Sequence, residues 1–158
     1  VFEHDLKILL DLIDGKANSI WTFILRNIYK PVTLSHRKFD YVVGNPPWLT
    51  TRFMKNPEYR EFLVEESIRY GLVEAGKTHQ LPNMELATLF FREVCALYLK
   101  DDGIIAFVMP KSVLVSQQHA NFRKWECPPI RPMEILDFED VSPLFNVPAC
   151  VIKGRKLK

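Results

Sequence analysis

Apolar positions along this chain follow two different periods. Leu6, Leu9, Leu10 and Ile13, then Ile20, Ile24 and Ile28 after Gly15, recur every three or four residues and predict a helical lead-in over residues 1–38. Phe39 to Val43 is instead a short run of aromatic and β-branched residues, which predicts a buried strand broken at Gly44. Asn56-Pro57 starts a further helix with Tyr59, Phe62 and Leu63 on one face, and Gly71 to Pro82, polar and without period, predicts a mobile surface loop. From Asn83, a plausible N-cap, a helix is predicted over Met84 to Lys100. Leu86, Phe90, Val94 and Leu97 form its apolar face, Leu89, Phe91 and Tyr98 widen it, and Glu85, Thr88 and Arg92 make a narrow polar stripe. Asp101-Asp102-Gly103 supplies a turn with glycine available for a left-handed residue, and Ile104 to Met109 predicts a strand apolar on both faces, closed by Pro110. The unit then repeats: Ser116 caps a short helix containing Phe122 and Trp125, residues 133–138 form a strand, and residues 149–153 form another after Phe145 and Pro148. Helix followed by buried strand implies a parallel crossover.

The strongest chemical signal lies where the first strand ends, in Asn45-Pro46-Pro47-Trp48. Two prolines cannot continue a ladder, so Asn45 is held at a rigid strand tip, the place where open α/β sheets bind ligands. An exocyclic amine conjugated to a purine is a poor nucleophile until both of its hydrogens are held by acceptors. The Asn45 side-chain carbonyl and the Pro46 main-chain carbonyl can be those acceptors, with Pro47 fixing the direction of the second. Trp48 offers a flat face on which a base taken out of a duplex can stack. A turn ending a strand, with Trp48 as core filling, would use the same four residues.

The tetrapeptide and its context resemble the adenine-N6 DNA methyltransferases, including the methylase parts of type I and type IIG restriction–modification enzymes. In that family Asn-Pro-Pro-aromatic is followed by a helix, an acidic or Pro-Gly-Gly turn, a hydrophobic strand ending in proline, and a late Phe before the last strand. Residues 83–100, 101–103, 104–110 and 144–152 present this series. The resemblance implies a partial Rossmann-like α/β fold, mostly parallel with an antiparallel last strand, for S-adenosylmethionine-dependent methyl transfer to N6 of a flipped adenine. It also implies Asn45, Pro46, Pro47 and Trp48 as the catalytic group, Phe145 stacking on the base opposite Trp48, and Asn45 as an edge contact to the cofactor. Double-stranded DNA is the implied partner. Arg52 and Lys55 after the turn, and Arg123, Lys124 and Arg131 later, are candidates for its phosphates.

The cofactor's own signature is missing, since no Gly-x-Gly occurs. The expectation is a catalytic domain part spanning residues 1–158, with 39–158 holding the catalytic strand, crossover helices and closing strands. Its cofactor half and a target-recognition domain or subunit would be partners. Such a part is expected to bind S-adenosylmethionine weakly by itself and to present strand 39–43 as an unprotected edge. Net charge of +2 makes it no electrostatic binder of the histone kind. Lys153, Arg155, Lys156 and Lys158 suggest a strand leaving the core for a next domain. With no membrane-length apolar stretch and Cys95, Cys127 and Cys150 lacking metal spacing, a cytoplasmic protein with reduced thiols and no metal is expected. Glutamine-amide or rRNA guanine-N2 methylation by the same fold stays open, as does a non-catalytic methylase-like module for DNA binding or assembly.

Overall fold

In the computed structural model of the chain, residues 37–74, 76, 85–141 and 145–158 are described, with Asn27 besides. Nearly all of the lead-in expected over 1–38, the Asn83 cap, Leu144 and most of the 71–82 loop lie outside the described residues. Four strands, β1 (Phe39–Gly44), β2 (Leu99–Pro110), β3 (Ile130–Asp137) and β4 (Ala149–Lys156), form one sheet in the order β1-β2-β4-β3. β1 runs parallel to β2, and β4 lies antiparallel to both β2 and β3, the arrangement expected from the resemblance. The carboxyl ends of β1, β2 and β3 and the amino end of β4 therefore share one end of the sheet. Two backbone bonds close that end: Lys111 N–H donates to the Pro148 carbonyl at 2.9 Å and Phe138 N–H to the Ala149 carbonyl at 2.9 Å.

Helices α1 (Pro57–Arg69), α2 (Leu86–Leu97) and the single turn α3 (Ser112–Val115) connect the strands. α1 starts as Asn56-Pro57 predicts, with the Asn56 side chain accepting from Tyr59 N–H at 3.2 Å. Gly71, at φ +65°, ends it and returns buried Leu72 and Val73 to the core. One face of β2, Ile105, Phe107 and Met109, is fully covered. Phe91 of α2 meets Phe107 edge-on at 5.7 Å and Phe122 at 5.3 Å, contacts worth about 0.5–1.5 kcal/mol each beyond area burial.

Several expectations need correction. α2 is shorter than 84–100, and its faces are turned from those expected: Thr88 and Arg92 of the polar stripe are buried, while Phe90 and Leu97 of the apolar face are partly exposed. Arg92 explains the rotation, because its guanidinium donates to the carbonyls of Phe122 at 2.8 Å and Pro128 at 3.1 Å and so staples the loop before β3. β2 begins at Leu99, and the acidic turn lies within it as a break in register. The left-handed residue there is Asp102, at φ 63°, not Gly103. Gly103 is needed for space: a Cβ would stand 2.8 Å from Leu99 Cδ1 and 2.9 Å from the Lys100 carbonyl oxygen. The helix expected after Ser116 is broken into separate 3-10 turns, Gln117–His119 and Phe122–Lys124, and Ser116 makes no side-chain cap. β4 does not leave the core at Lys153 but continues in register, and Lys156 is buried with Nζ donating to the Leu99 carbonyl at 3.0 Å. β1 is less buried than its composition suggests, since β2 is its one partner among the described residues and Tyr41 and Val43 are 73% and 79% exposed.

Candidate active site

The site is built at the shared end of the sheet. β1 stops at Gly44, where a Cβ would press to 3.1 Å from Phe107 Cε1, so the chain crosses β2 closely before it turns. Asn45 is then exposed, Pro46 buried, Pro47 exposed and Trp48 half-buried. The buried proline and the anchored indole fix the turn between them, because Trp48 Nε1–H donates to the Val108 carbonyl of β2 at 3.3 Å. Beyond Trp48 the chain is tied to the start of α2: Thr50 and Glu85 form an antiparallel bridge, and Leu86 N–H donates to the Leu49 carbonyl at 2.9 Å.

Phe145 meets Trp48 directly, with ring centroids 4.9 Å apart and planes at 45°. The two aromatics singled out in the sequence are thus brought together, without a gap the thickness of a base between them. A cavity of about 510 Å³ opens on Trp48, with Thr50, Glu85, Pro110, Lys111, Ser112, Val147 and Pro148 in its lining. Phe145 does not line it.

The cavity's polar groups are held from behind. Ser112 Oγ donates to Glu85 Oε1 at 2.6 Å, whereas Glu85 Oε2 and Thr50 Oγ1 are buried without a hydrogen-bond partner among the described residues. Burial pushes the Glu85 carboxyl up from its ordinary value, partly opposed by the Ser112 hydrogen bond. His119 lies behind, its Nε2 4.0 Å from Glu85 Oε1. Burial, reinforced by Arg123, pushes its pKa down to about 4, so the ring is neutral at pH 7 and this contact is no ion pair there. Lys111 is paired at the rim with Asp137, Nζ to Oδ2 2.7 Å, and with Glu139. These bonds raise the lysine, and its ammonium holds Asp137 below the usual carboxylate range.

The basic candidates divide. Arg52 and Lys55 are exposed just after the turn, Arg52 lying over the Phe53 ring at 4.9 Å, and Lys124 is exposed. The Arg123 guanidinium instead donates to the carbonyls of Val113 at 3.0 Å and Ser116 at 2.8 Å. Arg131 is exposed on β3. Cys95 and Cys150 are buried, and burial raises their thiols to about 12 and about 11, which leaves neither a ready nucleophile at neutral pH. No group of His, Cys, Asp and Glu among the described residues is arranged to hold a metal, and no described helix is long and apolar enough to cross a membrane.

Thr50, Lys111 and Ser112 did not stand out in the sequence, and Glu85 did so only as part of a polar stripe. The usable signal was positional: Lys111-Ser112 directly follows the proline that ends a buried strand, the same placement that marks Asn45.

Residues 4–145 match the sequence profile of the Eco57I restriction-modification methylases. The fold is that of the class I S-adenosylmethionine-dependent methyltransferases. A crystal structure of a Listeria monocytogenes protein assigned to that class superposes with a TM-score of 0.55 at 17% identity, over 77% of this chain and 33% of the other. The DrdV–DNA complex, determined by cryo-electron microscopy, also superposes with a TM-score of 0.55, at 22% identity, over 82% of this chain and 15% of the other. The chain thus spans a third or less of either matched structure. The search of curated protein sequences finds no match. For the methyl donor, Asn45 stands at the β1 tip, and no Gly-x-Gly of the kind that marks a dinucleotide-type turn occurs in the sequence.

Proposed function

Because the chain belongs to the Eco57I restriction-modification methylase family, we propose that it is the substrate-binding part of a site-specific DNA adenine-N6 methyltransferase. The observation that carries this reading is the juxtaposition at the sheet end: exposed Asn45, followed by buried Pro46, stands just past the β1 tip, next to an anchored indole that borders a largely apolar cavity. S-adenosylmethionine supplies the methyl group. The chain's own part is to hold the amine. Asn45 Oδ1 and the Pro46 carbonyl each accept one amine hydrogen, which favours a more tetrahedral nitrogen and frees its lone pair from the ring. Trp48 replaces the stacking lost when the base leaves the duplex. Phe145, packed on Trp48, is assigned the support of that face, and exposed Arg52, Lys55 and Lys124 are the candidate phosphate contacts.

Residues 39–158 make the catalytic and closing part in this reading, and 1–38 the lead-in. The cofactor-binding half and a target-recognition region are partners in the same polypeptide or another, and the enzyme acts on DNA in the cytoplasm. Family membership favours DNA over a glutamine amide or rRNA. The test is Asn45→Ala in the full-length protein, followed by transfer of a labelled methyl group to duplex DNA. Turnover should fall about 10²-fold or more, on the scale of losing an oxyanion-hole donor, while DNA binding persists. Trp48→Phe should be tolerated far better than Trp48→Ala. Near-normal methylation by Asn45→Ala would return the tetrapeptide to structural punctuation, and a wild-type protein that binds DNA without methylating it would make this a non-catalytic module.

A further inference from the structure

We propose that Glu85 and Thr50 read the edge of the extruded base, with the Glu85 carboxyl sharing a proton with the ring nitrogen next to the amine-bearing carbon. The inference rests on the base-binding reading above and adds what discriminates one base from another. Three observations lead to it.

The cavity beside Trp48, about 510 Å³, falls within the range of roughly 300–1,000 Å³ typical of small-molecule sites. Its walls suit a flat ring, since Trp48, Pro110, Val147 and Pro148 contribute apolar surface. The cation in its lining, Lys111, is already paired with Asp137 and Glu139, so a neutral ring fits better than a phosphate.

Two residues of the lining, Glu85 and Thr50, each carry a buried oxygen, Oε2 and Oγ1, that has no hydrogen-bond partner among the described residues and is costly to leave unsatisfied. Neither residue is free to turn away. The Thr50–Glu85 bridge fixes their backbones, and Ser112 Oγ–H occupies Oε1, which leaves Oε2 for the ligand.

In the proposed complex the shared proton lies on Glu85 Oε2, a form that burial favours and the Ser112 hydrogen bond opposes. An O–H donor at Oε2 matches an unprotonated ring nitrogen. Adenine presents one beside its amine, whereas guanine presents an N–H at the same place, and two donors would then face each other. The Thr50 hydroxyl, able to give or accept, completes the edge.

The test uses the full-length protein and duplexes carrying adenine, 1-deazaadenine or 7-deazaadenine at the target position. Wild type should lose about 10-fold or more in kcat/KM on 1-deazaadenine and little on 7-deazaadenine, as expected for one lost hydrogen bond to a buried partner. Glu85→Ala should lose a similar factor on adenine and almost nothing further on 1-deazaadenine. Glu85→Gln, whose amide can accept from Ser112 and still donate outward, should stay within about 3-fold of wild type, and thermal melting of each variant reports any folding defect. An undiminished 1-deazaadenine penalty in Glu85→Ala would overturn the assignment, as would a Glu85→Gln that melts normally yet is as impaired as Glu85→Ala. Asn45→Ala, run in parallel, separates the two levels. If it is inactive while Glu85→Ala behaves as wild type, only this inference fails; if it is fully active, the base-binding reading fails with it.

Discussion

Phe145→Ala distinguishes two ways in which an aromatic pair can serve a flipped base. The Trp48 and Phe145 ring centroids are 4.9 Å apart, whereas a base between them would need about 7 Å, two van der Waals contacts of roughly 3.5 Å each. Inserting the base there would first break a ring pair worth about 0.5–1.5 kcal/mol. Trp48 borders the cavity and Phe145 does not, so the lower-cost arrangement stacks the base on Trp48 from the cavity and leaves Phe145 holding the indole. Phe145→Ala then costs the ring pair alone, about 1 kcal/mol or roughly 5-fold in the extrusion equilibrium. A fluorescent adenine analogue at the target position reports that equilibrium in the full-length protein. The double-mutant cycle with Trp48→Ala is decisive, because removing Phe145 should cost nothing once the indole it supports is gone. If Phe145→Ala costs as much or more in the Trp48→Ala background, the ring stacks on the base itself and the supporting role is refuted.

Two further outcomes follow from charges. The folded pKa of His119, about 4 against an ordinary 6.5, means that the unfolded chain binds the extra proton between those values, so stability from this group is intact above pH 6.5 and falls as pH drops toward 4, by up to about 3 kcal/mol. Glu85 acts oppositely, its raised carboxyl contributing most below pH 4.5 and less as pH rises; His119→Gln should therefore flatten the loss of urea midpoint between pH 7 and 4.5, and an unchanged slope would exclude His119 as its source. Arg52→Gln and Lys55→Gln should each lower the slope of log K for DNA against log salt by about 0.9, while Arg123→Gln leaves that slope alone and lowers the melting temperature, because two carbonyls lose their donor. The reverse pattern would exchange their roles.

The sheet was largely legible in the sequence because the strands are centred on apolar runs bounded by proline, glycine or acidic residues; the helix-to-strand alternation implied the parallel crossovers, and the antiparallel last strand followed from the resemblance alone. Interior polar residues were less legible. Arg92 and Lys156 look like solvated side chains on composition, yet both are buried because main-chain carbonyls replace water around their charge. No local pattern announces such a partner, since the carbonyls come from segments 29 to 57 residues away. The same limit applies to the site. Asn45 to Trp48 could be read because the chemistry lies within four consecutive residues, whereas the cavity wall is assembled from Thr50, Glu85 and Ser112, which only the fold brings together.

That assembly explains why the turn and the cavity act as one device. Trp48 hangs from the Val108 carbonyl of β2, Leu49 and Thr50 are pinned to the start of α2, and Glu85 at that start is held by Ser112 just past the end of β2. The path closes on itself: β2 holds the indole, the indole's own chain holds α2, and α2 is held by β2. In the proposed reading a ring resting on Trp48 is held at its amine by the Asn45 tip and at the adjacent ring nitrogen by Glu85, with Thr50 completing that edge. Methyl transfer needs the amine nitrogen placed to within a fraction of an ångström, since a misplacement of about 1 Å can cost 10²-fold. A closed loop of strand-anchored contacts supplies that constraint, and an isolated four-residue turn could not.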